Sequence, residues 1–327
     1  CGFLGPIPPS FSNLTHLITL DLSSNDLNGS VPSSLLTLPR LTFLNLNQNR
    51  LSGQIPNAFP QSNSIHELDL SFNKIEGELP STLSNLQHLI YLKLSYNKIE
   101  GELPSTLSNL QHLILLDLSH NKFIGQIPSS LLGLTQLYDL DCSDNKLEGP
   151  LPKNITGFSN LTSLRLNGNL LNGTIPSWCL SLPFLRNLHL SENQFSGHIS
   201  AISSYSLESL SLSHNKLQGN IPESIFSLVN LTYLDLSSNS LSGYVNFPHF
   251  SQLHLAFLDL SQNNQLSLNS KSNVSYSFPS LLSLDLSSVG LTEFPKLSGV
   301  PNLRSLSLSN NKLKGRLPNW LKETSFA

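Results

Sequence analysis

The 327-residue chain has no methionine, three cysteines, and a charged fraction of only 12%, about half the usual ~25%. Its net charge of −3 leaves no basic excess. That excludes the electrostatic footprint of a nucleic-acid-binding protein. No apolar run approaches the ~20 residues a membrane-spanning helix needs, so this stretch is expected to make no membrane contact of its own. Three cysteines are too few and too widely spaced for a disulfide framework. The ten histidines show no zinc-type spacing. No metal and no cofactor are expected.

What the chain has instead is a repeat. Lys74 to Ile90, KIEGELPSTLSNLQHLI, recurs letter for letter at Lys98 to Ile114, a shift of 24 residues. An asparagine marks the period at Asn25, Asn49, Asn73, Asn97, Asn121, Asn145, Asn169 and Asn193, each 24 residues after the last. It continues at Asn215, Asn239 and Asn263, then Val289 and Asn311, with steps of 22, 24, 24, 26 and 22. A period of this length is the signature of a solenoid, in which each unit buries its apolar face against its neighbours.

The residue chemistry agrees. In Thr19-Leu20-Asp21-Leu22-Ser23 apolar and polar side chains alternate, the period of a strand with one buried face. Stacked repeats place such strands side by side, ~4.8 Å apart, in a parallel sheet. The asparagine follows each strand where the chain turns. Buried turns leave backbone groups that must be paired, and an amide can donate and accept at once. The twelve asparagines, Asn311 included, are therefore predicted to form a structural ladder. Gly29 and its equivalents are read as positions a Cβ would hinder, and Pro32 and its equivalents as terminators of ladder or helix. Cys142 falls where Leu22 falls and Cys179 where Leu35 falls. Both are predicted to be inward-facing apolar filler.

The pattern L-x-x-L-x-L-S-x-N-x-L-x-G-x-I-P-x-x-L-x-x-L resembles the leucine-rich repeat, and its S-x-N-x-L-x-G-x-I-P half resembles the plant extracellular subclass. The expected fold is α/β, a right-handed curved solenoid of about 13 repeats of ~24 residues. Its parallel sheet lies inside the curve, with short 3₁₀, extended and helical segments outside. Residues 1–327 are expected to form one domain, with irregular repeats from 246 to 302. Cys1 stands at the asparagine position of a preceding repeat, and the chain stops in mid-repeat after Trp320 and Leu321. An internal ectodomain fragment without caps is expected, with any anchor outside it.

CGFLGPIPPSFSNL, IPSWCLSLP, and LTEFPKL followed by LPNWL are similar to phrases of plant leucine-rich-repeat receptor-like proteins of the Cf disease-resistance type. That resemblance implies a glycoprotein on the extracellular face of the plasma membrane. It would recognise a peptide or protein ligand, pathogen-derived or endogenous, and signal through partner or co-receptor kinases. The alternative is a secreted protein resembling polygalacturonase inhibitors, binding a cell-wall enzyme. A pure adhesion segment is a third reading.

The outward positions of the inner sheet carry an aromatic group, Phe43, Phe72, Tyr91 and Tyr96. Beside it lies an acidic cluster, Asp117, Asp139, Asp141 and Asp144, with Lys93, His120 and Arg165 interspersed. Exposed aromatics are the usual anchors of interfaces, and acidic neighbours favour a ligand with a basic patch. The two identical copies differ at Tyr91 versus Leu115, Lys93 versus Asp117 and Tyr96 versus His120, all on this face. Ser95, Asp117 and His120 lie on adjacent strands, but an open ribbon supplies neither oxyanion hole nor pocket, and no enzyme is expected. His88 and His112 are duplicates and are expected to stack as a surface column. Sequons stand at Asn13, Asn28, Asn154, Asn160, Asn172, Asn230 and Asn273, which points to a glycosylated extracellular surface.

Overall fold

The structure, a computed structural model, describes residues 2–269, 277–295, 297 and 299–317. Cys1, Asn273, Trp320 and Leu321 lie outside the described residues. The fold falls into two compact units, one up to Leu171 and one from Asn172 onward. Each is a leucine-rich-repeat solenoid in its own right.

In the first unit every repeat opens with a three-residue strand: Thr19–Asp21, Phe43–Asn45, Glu67–Asp69, Tyr91–Lys93, Leu115–Asp117, Asp139–Asp141 and Ser163–Arg165. Each runs parallel to the next in a register that steps by one repeat, with Leu92 between Leu68 and Leu116. In the second unit the equivalents are Asn187–His189, Ser209–Ser211, Tyr233–Asp235, Phe257–Asp259, Ser283–Asp285 and Ser305–Ser307. Seven and six make the thirteen strands the period predicts. From Phe43–Asn45 through Ser283–Asp285 the central residues and those two residues on, such as Leu92 and Leu94, are buried, whereas Leu22, Leu306 and Leu308 at the outer strands are half-buried. Cys142 and Cys179 are buried free thiols inside the core, as expected.

A second sheet was not anticipated. After the asparagine, the alternation in K-I-E-G-E forms further parallel strands. The first unit has Lys74–Gly77, Lys98–Glu102, Lys122–Gly125 and Lys146–Pro150. The second has Gln194–His198, Lys216–Gly219, Ser240–Asn246 and Gln265–Asn269. Sequence reading took these segments only as extended, although they keep the same period of two. The glycine ends strands such as Lys74–Gly77, Lys122–Gly125 and Lys216–Gly219 in the left-handed region. At Gly101 φ is +85°, and a Cβ would lie 2.7 Å from Cγ of Glu78. The proline that follows sets an extended φ, −68° at Pro104, and starts a 3₁₀ turn such as Ser105–Asn109. Among the described residues, helical structure outside the sheets is mostly such turns, with one α-helical turn at Ser33–Leu36.

The irregular repeats close by a different device. Phe-Pro-His-Phe makes the 3₁₀ segment Phe247–Gln252, in which Phe247 and Phe250 are fully buried. Phe250 packs edge-on against Phe226 at 5.0 Å, and Phe247 lies 5.3 Å from Phe278. Aromatic volume replaces the leucines that the pattern lacks there.

The asparagine ladder is present and inward. In Asn145 the Nδ2 donates to Leu118 O at 3.0 Å in the preceding repeat, and to Cys142 O and Ser143 O in its own. Its Oδ1 accepts the N–H of Phe123 at 3.0 Å. One side chain thus ties two coils and satisfies four backbone groups. Asn49, Asn73, Asn97, Asn121 and Asn169 donate to the same set of carbonyls. Asn215, Asn239 and Asn263 repeat this in the second unit. Where Val289 replaces the amide, its side chain is fully buried, and Asn311 Oδ1 accepts both Val289 N–H and Leu291 N–H.

Each buried polar group left unpaired costs ~1–3 kcal/mol. Asn145→Ala is therefore expected to lower unfolding free energy by about 3 kcal/mol or more, read by urea titration. The same change at exposed Asn28, a strand-edge position outside the ladder, is expected to move it by less than about 0.5 kcal/mol.

Candidate functional site

The strand residues that flank each buried leucine point away from the core and build the outward face of the first unit. The residue just before each ladder asparagine behaves differently. Ser24, Gln48, Phe72, Tyr96, His120 and Asp144 all adopt φ between 51° and 55°, and Gly168 takes φ 65° in the same column. This left-handed residue turns the chain from the first sheet into the second. Bulky residues there are uncommon, and the sequence pattern, which places an unrestricted x before the asparagine, gave no sign of it.

The conformation sorts the eleven candidate residues into two groups. Phe43, Tyr91, Lys93, Asp117, Asp139, Asp141 and Arg165 lie on the strands. Phe72, Tyr96, His120 and Asp144 form the left-handed column beside them. Phe72 stacks on Tyr96 with centroids 4.3 Å apart, and Tyr96 on His120 at 4.0 Å. His120 Nε2 then reaches Asp144 Oδ2 at 3.3 Å. Ring faces in this column are spent on one another, so Phe72 and Tyr96, each 45% exposed, offer chiefly their edges. Tyr91, on the strand, is not part of that stack.

The acidic cluster expected from the sequence is divided. Asp117 Oδ1 accepts both the N–H and the hydroxyl of Ser119, and Asp141 Oδ1 those of Ser143. The same Asp-x-Ser clasp recurs at Asp69, Asp235 and Asp285. It belongs to the turn, not to a ligand, because the aspartate fixes the backbone where the strand ends. Arg165 Nη1 lies 3.2 Å from Asp139 and 3.6 Å from Asp141, and Lys93 Nζ lies 3.0 Å from Glu67. The face is therefore a mosaic of paired charges around Tyr91, with Phe43 half-buried. Ser95, Asp117 and His120 form no relay, since Ser95 is buried, Asp117 holds Ser119 and His120 faces Asp144.

Sequence reading passed over an outward pair in the second unit. Tyr233 and Phe257 stack at 4.5 Å, nearly parallel. They stand at the strand position that Tyr91 holds, so the signal was available. Burial pushes the Tyr233 hydroxyl above its usual range, with Asp235 and Asp259 adding to the effect. The six described sequon asparagines, Asn13, Asn28, Asn154, Asn160, Asn172 and Asn230, are all exposed. Among the described residues no group of three or more His, Cys, Asp or Glu could hold a metal ion, and no helix is long and apolar enough to cross a membrane.

A solenoid of this build defines a repeat-based binding scaffold. The chain belongs to the leucine-rich-repeat family: the profile of a leucine-rich repeat region matches residues 65–327, and a second leucine-rich-repeat profile matches 8–51. It is similar to "Receptor like protein 24" of Arabidopsis thaliana, 37% identical over 120 residues, which are 36% of this chain and 14% of that protein. This bears out the resemblance to plant receptor-like proteins. Among solved structures it is similar to the Arabidopsis receptor kinase HAESA in complex with the peptide hormone IDA and the co-receptor SERK1. There the TM-score is 0.84 with 32% identity, over 99% of this chain and 59% of that one. It is also similar to the plant peptide hormone receptor RGFR1 in complex with RGF2, with a TM-score of 0.76 and 28% identity, over 100% of this chain and 60% of that one. The chain thus spans about three fifths of those two solved chains.

Burial pushes the Asp141 carboxyl above the ordinary range; the Ser143 bonds and Arg165 pull the other way, and Asp117 adds to the rise. The folded chain therefore holds this proton more tightly than the unfolded one. Stability falls as pH rises from the unfolded value of ~3.9 through the raised folded value. Asp141→Asn removes that loss and keeps the turn, since Asn45 fills the same position and accepts Asn47 N–H at 3.0 Å. At about pH 7 the variant is expected to melt no lower than the parent, and the advantage should vanish below about pH 3.5, where both carboxyls are protonated. Thermal melts across pH check this.

Proposed function

We propose that this chain is the ligand-recognition part of a plant cell-surface receptor-like protein, facing the apoplast and passing its signal to partner kinases. Its ligand is a peptide or protein, of pathogen or endogenous origin, held by the outward face of the first unit. One observation carries this reading. Two repeats that share 17 consecutive residues, Lys74–Ile90 and Lys98–Ile114, diverge at Tyr91/Leu115, Lys93/Asp117 and Tyr96/His120, and all six lie on that face or its adjoining column. Variation concentrated where the core is untouched supports tuning for recognition. The likeness to ectodomains solved with peptide hormones supports the same reading.

Tyr91 is the central anchor, because its ring is exposed and Lys93 Nζ stands 5.9 Å from its centroid. Arg165, tied to Asp139 and Asp141, offers the guanidinium for a ligand carboxylate. The exposed sequon asparagines carry glycans, and the chain performs no catalysis. Panning a random dodecapeptide display library on the full chain tests the proposal. Selected peptides are expected to lose at least about tenfold in affinity on Tyr91→Ala, the size of a typical anchor. Peptides indifferent to Tyr91→Ala and Arg165→Ala, or no enrichment at all, would overturn it.

A further inference from the structure

The second unit carries an outward aromatic pair that the recognition face does not use. Tyr233 and Phe257 stand side by side in register on adjacent strands, and their rings stack at 4.5 Å with only 7° between the planes. Both are half-buried. Beyond Tyr233 the column continues with Ser209, whose hydroxyl meets His189 Nε2 at 2.8 Å, and the imidazole lies 6.5 Å from the Tyr233 ring. Beyond Phe257 it continues with Ser283, a side chain too short to cover a ring. One face of Phe257 is spent on Tyr233, and the other is open.

The neighbouring column of the same sheet holds three carboxylates in a row. Asp235, Asp259 and Asp285 are paired strand to strand, a spacing of ~4.8 Å. Like charges set opposite each other destabilise a sheet. The fold does not ask for aspartate there, since Lys93, Arg165, His189 and Ser211 occupy the equivalent position. In the first unit the acids of this column adjoin a cation: Asp69 and Asp117 flank Lys93, and Asp141 adjoins Arg165. In the second unit the six strands from Asn187 to Ser307 contain no lysine or arginine. Arg186 and Arg304 precede their strands, on the other side of the aromatic column, and Arg186 is held by Glu208 at 2.9 Å. Among the described residues no lysine, arginine or histidine is ion-paired with Asp235, Asp259 or Asp285. Burial pushes the Asp259 carboxyl above its usual range; the Ser261 bonds pull the other way, and Asp235 and Asp285 add to the rise. The serine clasps take one oxygen of each aspartate and leave its charge.

We infer that this face of the second unit docks an arginine-bearing segment of a partner protein, with a guanidinium laid on the open ring of Phe257 beside the aspartate column. The ring supplies the contact surface and the three carboxylates supply the field. A flat ring face beside negative charge suits a planar, weakly hydrated guanidinium better than a compact ammonium. Charge complementarity of this kind selects the partner and speeds its approach. The inference does not rest on the recognition face of the first unit.

The test uses the full chain and three fluorescein-labelled peptides of glycine and serine, carrying arginines, lysines or citrullines at the same positions, in fluorescence anisotropy at about pH 7, well above the usual aspartate value. Citrulline is the neutral analogue of arginine. The arginine peptide is expected to bind at least about tenfold tighter than the citrulline peptide and about threefold tighter than the lysine peptide. Asp235→Asn with Asp285→Asn keeps an acceptor for each turn, as Asn45 does. It is expected to melt no lower than the parent and to lose at least about tenfold in affinity for the arginine peptide. Glu76→Gln with Glu100→Gln removes as much charge from exposed positions of the first unit and is expected to leave that affinity unchanged, which separates local recognition from net charge. Phe257→Leu is expected to abolish the preference for arginine over lysine. None of these variants touches Tyr91 or Arg165, so the result is separate from the fate of the recognition face. No binding of the arginine peptide, affinity equal to that of the citrulline or lysine peptide, or affinity that survives the double aspartate variant would overturn the inference.

Discussion

The whole molecule hangs on one bond type, the amide of a buried asparagine reaching back to the preceding coil. A solenoid repeat cannot bury its apolar face alone and leaves a turn in the interior once per period. Water cannot serve the N–H and C=O groups of that turn. The amide does, because it is the one short neutral side chain that donates two hydrogen bonds and accepts two more. Asn263 is fully buried in this role. The leucines supply most of the driving force, but non-directionally. Register from coil to coil comes from the amide and the strand ladder together.

That scaffold explains why recognition can be read where it is. With core, amide and turn positions fixed, only the outward strand residues, the left-handed column and the strand edges are free to vary. The left-handed column is less free than it looks. A ring at Phe72 or Tyr96 sits in an unfavourable backbone region and is steadied by stacking on its neighbours in the adjacent coils. The Asp-x-Ser clasp likewise removes aspartates from the pool of ligand contacts. What remains on the first unit is a small set around Tyr91, Lys93, Asp139 and Arg165.

Most of the architecture was legible in the sequence because the period is exact over many copies. Strand positions, ladder asparagines and inward cysteines all followed from comparing one repeat with the next. The second sheet was missed because the segments outside the first sheet were read only as short 3₁₀, extended and helical pieces, although the alternation in K-I-E-G-E matches that of the first sheet. The site was legible only in part. Repeat alignment identifies which residues face outward, but not which outward residues already hold one another. Nothing in the letters of Asp117 or Asp141 distinguishes a carboxylate clasping its own turn from one waiting for a ligand. The stack of Phe72, Tyr96 and His120 depends on a backbone angle that the pattern does not encode. Tyr233 and Phe257 were overlooked for a simpler reason: they stand among outward positions that are mostly serine, aspartate and glutamine.

Amide hydrogen exchange on the intact chain addresses the amide column most directly. Ile75, Ile99, Phe123 and Leu147 donate their N–H groups to the side chains of Asn97, Asn121, Asn145 and Asn169. If those side chains lock coil to coil, these amides open only with the structure around them and exchange as slowly as the N–H groups of the parallel strands. Exchange at the rate of solvent-exposed turns would mean that the asparagines merely face inward and hold nothing, and the account of the fold would be wrong.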